Sequence, residues 1–326
     1  MFVLGILGSP REGNSASLLH EFMTIAQQLG SSCQTIQISQ QDIKPCIEDA
    51  ICEKSGICPI HDDMQAIYDL LQQADVVVVA TPIFFYNVPA QLKALIDRSQ
   101  MLWARKYRLK ITDPMKPWRK SVLLALGATR GKNLFEGTLA TMKYFFDAIS
   151  ATLAGNLTYR EIEHPGDIEK HPTAIQEVKA LAHDILTPFL ERQKVVFVCQ
   201  DNASLSQIAM AFTQRYAGNK IEAFSAGIDP SKKIHPMVLK VMKEKEIDIK
   251  FRKPQAIHDV LDSQVVNLII SMGHDVSFHQ SYPHIKLISW DINAPNDIAT
   301  DTIDEWKTIR NIIDQYVTNW LNNYKF

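Results

Sequence analysis

The sequence lacks any run of about 18 apolar residues, so nothing in it predicts a membrane-spanning helix. It has no excess of one charge: 34 Lys and Arg stand against 36 Asp and Glu, a formal charge of −2. That balance gives no general attraction to nucleic-acid backbones or anionic lipid, and no basic, aromatic strip appears. The N-terminal Met-Phe-Val-Leu-Gly-Ile-Leu-Gly is too short for a signal segment, lacks a preceding positive charge and runs at once into Ser9-Pro10-Arg11. A soluble, cytoplasmic protein is expected. Five cysteines are too few, and odd in number, for a secreted disulfide framework; three crowd into Cys46, Cys52 and Cys58. In a reducing compartment such crowding points to metal or redox chemistry. No Gly/Ser-rich linker, low-complexity tract or repeat of 20–50 residues appears.

What is present is an ordinary globular composition, 46% hydrophobic and 21% charged, spread over 326 residues, more than one typical domain needs. Short apolar runs alternate with helical periodicity. Strands are expected at 2–7, 76–80, 122–126 and 156–162, and helices at 16–29, 89–99, 134–153 and 173–191. The pattern then restarts, with strands at 195–198, 221–224, 266–270 and 285–288 and helices at 204–216, 236–245 and 301–322. Such alternation predicts two consecutive doubly wound parallel-sheet α/β domains. The boundary falls near Arg192-Gln193-Lys194, giving domains at 1–192 and 194–326.

In an open parallel sheet, ligands bind at the carboxyl ends of the strands. After the first strand comes Gly8-Ser9-Pro10-Arg11-Glu12-Gly13-Asn14-Ser15, small and polar, at a helix start where free N–H groups suit a phosphate. It also fits an ordinary strand-to-helix turn, and it is neither a GxGxxG fingerprint nor a Walker A loop. The second loop, Thr81-Pro82-Ile83-Phe84-Phe85-Tyr86-Asn87-Val88-Pro89, carries three aromatics in a row, suited to a flat apolar ligand or simply to a capped hydrophobic turn. A third loop, Gly127-Ala128-Thr129-Arg130-Gly131, ends the next strand.

This set, with Pro89-Ala90-Gln91-Leu92-Lys93 and Asp97-Arg98, resembles the NAD(P)H-dependent FMN reductases, and within them the iron–sulfur flavoproteins. The resemblance covers about residues 1–190. It implies a flavodoxin-like fold, a homodimer, FMN as cofactor and NAD(P)H as co-substrate. By it, Ser9, Arg11, Asn14 and Ser15 bind phosphate, Pro82, Ile83, Phe84, Phe85, Tyr86 and Asn87 lie against the flavin, and Gly127, Thr129, Arg130 and Gly131 border the ring. The segment Cys46, Cys52, Cys58, then Asp62-Asp63-Met64, is similar to the four-cysteine motif of those flavoproteins, with Asp49 at the second cysteine position. Three thiolates then stand where four hold an iron–sulfur cluster. Oxygen is a harder ligand than such a cluster favours. The ligand chemistry therefore weighs against a cluster, with zinc (His61 as a fourth ligand) and free cysteines as the other readings.

From Lys194 the sequence Val195-Val196-Phe197-Val198-Cys199-Gln200-Asp201-Asn202-Ala203-Ser204-Leu205-Ser206, with Ser225-Ala226-Gly227 and His235-Pro236, resembles the low-molecular-weight tyrosine phosphatases and the thioredoxin-coupled arsenate reductases. The resemblance implies a domain of that fold with Cys199 as nucleophile and Asn202 and Ser206 in matching places. Leu205 stands where the family has an arginine. Ala294 in Trp290-Asp291-Ile292-Asn293-Ala294-Pro295 stands where its acid belongs, and the spacing does not favour Asp291 or Asp297 as a replacement. Ser271-Met272-Gly273-His274 fills the place of a redox cysteine. General acid catalysis alone is typically worth about 10²–10⁴-fold. An inactive phosphatase-like domain is expected, with Cys199 either a redox-sensitive thiol or a small buried residue.

The leading expectation is an FMN-binding oxidoreductase passing electrons from NAD(P)H to a small-molecule or protein acceptor: a quinone, a flavin, a metal oxyanion or a protein. Two alternatives accompany it. One is a fused arsenate or oxyanion reductase using Cys199; the other is a non-catalytic sensor of flavin and anions.

Overall fold

A strand of four consecutive valines cannot show one face to water, so Val76–Ala80 must lie inside a sheet covered on both sides. In the computed structural model, which describes residues 1–273, 277–292 and 302–324, it does. The chain divides into two compact units, residues 1–110 with 116–190, and residues 111–115 with 191–326.

The first unit runs β1 (Phe2–Leu7), α1 (Asn14–Gln28), β2 (Ser32–Gln37), α2 (Ile51–Ser55), α3 (Met64–Gln73), β3 (Val76–Pro82), α4 (Ala90–Arg98), α5 (Gln100–Tyr107), β4 (Lys120–Leu126), α6 (Glu136–Ala148), β5 (Thr152–Tyr159), α7 (Asp167–Lys170) and α8 (Ala174–Leu190). Its sheet has the order β2-β1-β3-β4-β5, all parallel. This is the flavodoxin-like order, whose switch point lies between β1 and β3. One face packs Val3, Val76, Val78 and Val122 against Leu18 and Phe22 of α1 and Val178 and Leu186 of α8. The alternating set Leu4, Ile6, Val77, Val79 and Leu123 is equally buried, so the other face is covered too.

Within this unit, expectation and structure differ at the edge strands and at helices α2, α3, α5 and α7, for which no helix was expected. β5 occupies Thr152–Tyr159 rather than 156–162, and the helix expected to reach residue 153 stops at Ala148. An edge strand with a mostly exposed pattern carries little hydrophobic signal, and Ser150 turns the chain with a positive φ of 59°. β2, Ser-Cys-Gln-Thr-Ile-Gln, is polar for the same reason.

The second unit follows as β6 (Gln193–Cys199), α9 (Leu205–Ala217), β7 (Ile221–Gly227), α10 (Pro236–Glu244), α11 (Ile257–Leu261), β8 (Leu268–Met272), β9 (Lys286–Trp290) and α12 (Ile303–Asn323). Its parallel sheet has the order β7-β6-β8-β9. Phe197, Ile208, Phe212, Ile313, Val317 and Trp320 fill one face; Val196, Val198, Val260 and Ile269 fill the other. Residues 111–115 add to this unit: Thr112 N–H donates to Glu246 O at 3.0 Å, and Asp248 N–H donates to Thr112 O at 2.8 Å. Thr302 caps α12 in a reciprocal capping box with Glu305. His274, Asn293, Ala294, Pro295 and Asp297, named above, lie outside the described residues.

Candidate functional site

The carboxyl ends of β1, β3 and β4 bring three loops side by side. Gly8 N–H donates to Ala80 O at 2.8 Å, Ile83 N–H to Leu126 O at 2.9 Å and Gly127 N–H to Tyr159 O at 2.9 Å. Gly8 has no room for a side chain: a Cβ there would stand 2.5 Å from Leu92 Cδ2. Ser9 folds the first loop on itself, its Oγ donating to Arg11 O at 2.6 Å. α1 opens after Gly13 with no side-chain cap and no acidic residue in its first turn. Its first N–H groups therefore keep their attraction for an anion. Ser15 is buried there, and Arg11 is exposed at the rim.

The side chain of Asn14 faces another task. Its Nδ2 donates to His164 O at 2.9 Å, and its Oδ1 accepts from Gly166 N–H at 3.0 Å and Ile168 N–H at 3.3 Å. Ser17 Oγ donates to Glu169 Oε1 at 2.9 Å nearby. Asn14 thus ties the segment 164–168 to the loop, and what it offers an anion is its main-chain N–H. Sequence reasoning did not identify that segment as part of the site; Pro165-Gly166, with Gly166 at φ +83°, was its visible turn signal.

The aromatic loop is a tight turn. Phe84 N–H donates to Asn87 O at 2.8 Å and Asn87 N–H to Phe84 O at 3.0 Å, with Phe85 at φ 47° and Tyr86 at φ 63° between them. Two positive φ values define a type I′ turn, normally the place of Asn-Gly. Two aromatic residues hold that strained conformation here, and Phe85 is fully exposed. The third loop closes against this turn. A Cβ on Gly131 would stand 2.3 Å from Tyr86 Oη, and one on Gly137 would stand 2.5 Å from Tyr86 O. Arg160 Nη1 donates to Gly131 O. Arg130 and Thr129 point into solvent, Arg130 paired with Glu161 at 2.6 Å. Asn87 Oδ1 accepts from Val88 N–H at 2.8 Å, which holds the turn rather than a ligand.

In the second unit the loop after β6 is equally ordered. Asn202, fully buried with φ 49°, donates from Nδ2 to Ser206 Oγ at 2.8 Å, and Ser206 Oγ lies 3.0 Å from Cys199 Sγ. Asn202 Oδ1 accepts from Gln255 N–H at 2.8 Å. Gly227 passes so close that a Cβ would stand 2.9 Å from Asn202 Cβ. The structure therefore brings Cys199, Asn202 and Ser206 together. Leu205, only 3% exposed, packs into the core of this unit. Cys199 is buried, and its thiol pKa is raised, first by burial and then by the neighbouring Asp201 charge, against a smaller opposing pull from Ser206.

The family model for low molecular weight phosphotyrosine protein phosphatase matches residues 194–325, and that for NADPH-dependent FMN reductase matches residues 1–159. Arsenate reductase 1 from Bacillus cereus is 31% identical over 131 residues, 39% of this chain and 90% of that protein. Through its second unit the chain belongs to the low molecular weight phosphatase and arsenate reductase family, and its first unit carries an NADPH-dependent FMN reductase domain match over residues 1–159. An iron-sulfur flavoprotein from Methanosarcina thermophila is 39% identical over 111 residues, 34% of this chain and 58% of that protein. The chain spans about half the length of the curated flavoproteins it matches. A solved thioredoxin-dependent arsenate reductase from Corynebacterium glutamicum is 28% identical, with 47% of this chain and 75% of that one covered and a TM-score of 0.34.

Two groups implied by the FMN reductase and iron-sulfur flavoprotein likeness can be tested against the residues. FMN fits: an uncapped, acid-free helix start suits its phosphate, and exposed aromatics on a strained turn suit its ring. For a cluster the chain offers three cysteines and Asp49 where the similar motif has four cysteines. Among the described residues no three His, Cys, Asp or Glu side chains are grouped to hold a metal ion. Cys46 is exposed while Cys52 and Cys58 are buried, and Asp49 Oδ1 accepts from Ile51 N–H at 3.0 Å. Burial, then the proximity of Cys58, Cys46, Asp49 and Glu53, raises the Cys52 pKa.

The segment that carries these cysteines is held by buried Arg98. Its guanidinium pairs with Asp62 at 2.6 Å, both side chains fully buried, and donates to Lys44 O at 2.9 Å and Ile60 O at 3.2 Å. Burial alone would raise the Asp62 pKa; the Arg98 hydrogen bonds and charge and the Lys44 and Met64 N–H groups outweigh it and lower the value. Arg105 Nη1 donates to Gly56 O at 2.8 Å at the other end.

Proposed function

We propose that the first unit is an FMN-dependent oxidoreductase using NAD(P)H, and that the second unit does not work as a phosphatase. The observation that carries the first part is the acid-free, uncapped start of α1 beside the strained aromatic turn 84–87. Bound FMN would accept hydride and deliver electrons to a quinone, flavin, metal oxyanion or protein acceptor. The chain's own contribution is binding and orientation. Main-chain N–H groups of α1 and the side chains of Ser15 and Arg11 hold the phosphate, and Ser9 folds the loop that presents them. Asn14 positions the segment behind them, and the turn 84–87 with Gly131 supports the ring. Hydride transfer asks no side chain for a proton here. Purified protein is expected to be yellow and to oxidise NAD(P)H; colourless protein that also ignores added FMN would overturn this reading. It is expected to carry flavin absorbance without stoichiometric iron, and to sediment as a homodimer.

For the second unit the argument rests on charge. Leu205 supplies no guanidinium to clamp a phosphoryl group, and Cys199 is held as a thiol, whereas the thiolate is the nucleophile. Hydrolysis of p-nitrophenyl phosphate is expected to equal that of the Cys199→Ser variant. The likeness to the Bacillus cereus arsenate reductase supports a second reading, oxyanion reduction through Cys199. NAD(P)H-dependent arsenate turnover that vanishes in Cys199→Ser would decide for it.

A further inference from the structure

The loop after β6 already holds an acceptor inside it. The main-chain carbonyls of Cys199, Gln200, Asp201 and Ala203 accept from the N–H groups of Ile228, Asp229, Ser231 and His235, at 3.2, 2.9, 2.8 and 2.9 Å. Pinning these carbonyls to the outer segment turns the loop's donors toward its own interior. There the Asp201 carboxylate is met by three of them. Oδ1 accepts from Ala203 N–H at 3.0 Å, from Ser204 Oγ at 3.0 Å and from Cys199 Sγ at 3.3 Å. With Asn202 donating to Ser206, the Ser206 proton is left for the sulfur, so a single chain runs from Asn202 through Ser206 and Cys199 to Asp201.

We propose that Asp201 closes this loop to oxyanions by occupying their place with its own carboxylate, and so holds Cys199 as the neutral thiol. An entering phosphate or arsenate would need the same donors and would meet a fixed negative charge. The inference rests on the family membership of the second unit and deepens the reading that this unit is not a phosphatase. That reading stands on Leu205, and this one on a different residue.

Around Cys199, the segment 248–256 packs on the loop through Gln255 N–H and carries Asp248, Lys250, Arg252 and Lys253, with Arg252 turned to Gln207 O at 3.0 Å. Asp291 follows Trp290 at the end of β9. The strand neighbour of Cys199 on β7 is Gly227, and β8 places the uncharged Ser271 beside Val198. α9 brings Ser206, and α11 does not reach the sulfur's core cluster. The segment 228–235 carries Asp229, Lys232, Lys233 and His235, but it meets the loop through main-chain bonds, and the His235 ring stacks on Trp306 at 4.8 Å. The carboxylate hydrogen-bonded to the thiol is that of Asp201.

The test is the pH profile of Cys199 alkylation by iodoacetamide in the full chain, read by mass spectrometry on the Cys199 peptide. Asp201→Asn keeps the shape and an acceptor oxygen and removes the charge. Its profile is expected to move down by about one pH unit, the usual effect of removing one adjacent like charge, with alkylation at pH 8 about tenfold faster. A profile superimposed on that of the unaltered chain overturns the proposal. Asp201→Gly vacates the place: inorganic phosphate is expected to slow Cys199 alkylation in this variant and not in the unaltered chain. Equal protection of both, or of neither, overturns it. Hydrolysis of p-nitrophenyl phosphate by the unaltered chain would overturn both readings of this unit. Absent hydrolysis with an unshifted profile overturns this one alone.

Discussion

Replacing Phe85 with glycine separates stability from ligand binding in opposite directions. Phe85 sits at φ 47° and is fully exposed, so its ring buries nothing that the substitution would lose. A left-handed conformation costs an L-residue roughly 1–2 kcal/mol, which glycine escapes. Glycine gives back about 0.5–1 kcal/mol through the greater freedom of the unfolded chain. The net gain is therefore about 0–1.5 kcal/mol, and for a unit of this size each kcal/mol raises the melting temperature by roughly 2–4 °C. Calorimetry of flavin-free protein is expected to show the first unit melting up to a few degrees higher. FMN titration by fluorescence quenching is expected to show the reverse. Loss of one aromatic contact worth about 0.5–1.5 kcal/mol weakens binding roughly two- to tenfold. A lower melting temperature would mean the turn is not strained as argued. Unchanged FMN affinity would mean the exposed ring serves something other than the flavin.

Three further outcomes follow from the same geometry. Arg98→Leu strands the fully buried Asp62 carboxylate and is expected to destabilise the first unit by about 3–5 kcal/mol, read as a lower urea midpoint; adding Asp62→Leu is expected to restore a large part of it. The Asp62 pKa is lowered on folding, so its contribution is complete above its unfolded value of about 3.9 and disappears only as pH falls through the lower folded value. Urea midpoints measured down the acid range are expected to show that limb in the unaltered chain and a weaker one in the double variant. Asn14→Ala leaves His164 O, Gly166 N–H and Ile168 N–H without their partner, at about 1–3 kcal/mol, and faster amide exchange confined to residues 164–168 is the expected signature.

The parallel α/β class and the placing of the three loops were legible because they depend on local signals. Buried parallel strands are runs of valine and leucine, and β1, β3 and β4 each end in a glycine or proline beside polar or aromatic residues. The edge strands were faint because half-exposed strands need no such run. Side-chain roles were hidden where they depend on partners far along the chain. Nothing near Asn14 announces that its amide meets a segment 150 residues later. Phe85-Tyr86 argues locally against a type I′ turn, since turn chemistry favours Asn-Gly there, and only the paired main-chain bonds of Phe84 and Asn87 reveal it. Residues 111–115 pair with the strand-like segment at Ile247, a contact no periodicity encodes.

The loop at Cys199 shows why retained form and lost reaction are compatible. Asn202 is fully buried in a left-handed conformation, and its amide joins Ser206, Gln207 and the Gln255 main chain. Removing it would leave several buried groups unpaired, so the loop's fold depends on it. An arginine at position 205 would answer to the anion, not to that fold, and leucine there adds apolar burial instead. Asp201 acts in the same direction, because its carboxylate supplies the acceptor that Ala203, Ser204 and Cys199 would otherwise lack. Leu205 and Asp201 together satisfy internally a loop that would otherwise be completed by a ligand. A chain carrying Asp201→Gly alone is therefore expected to be less stable than the unaltered chain, and inorganic phosphate is expected to recover part of the difference. If phosphate recovers none of it, the donors of this loop do not face a common anion site.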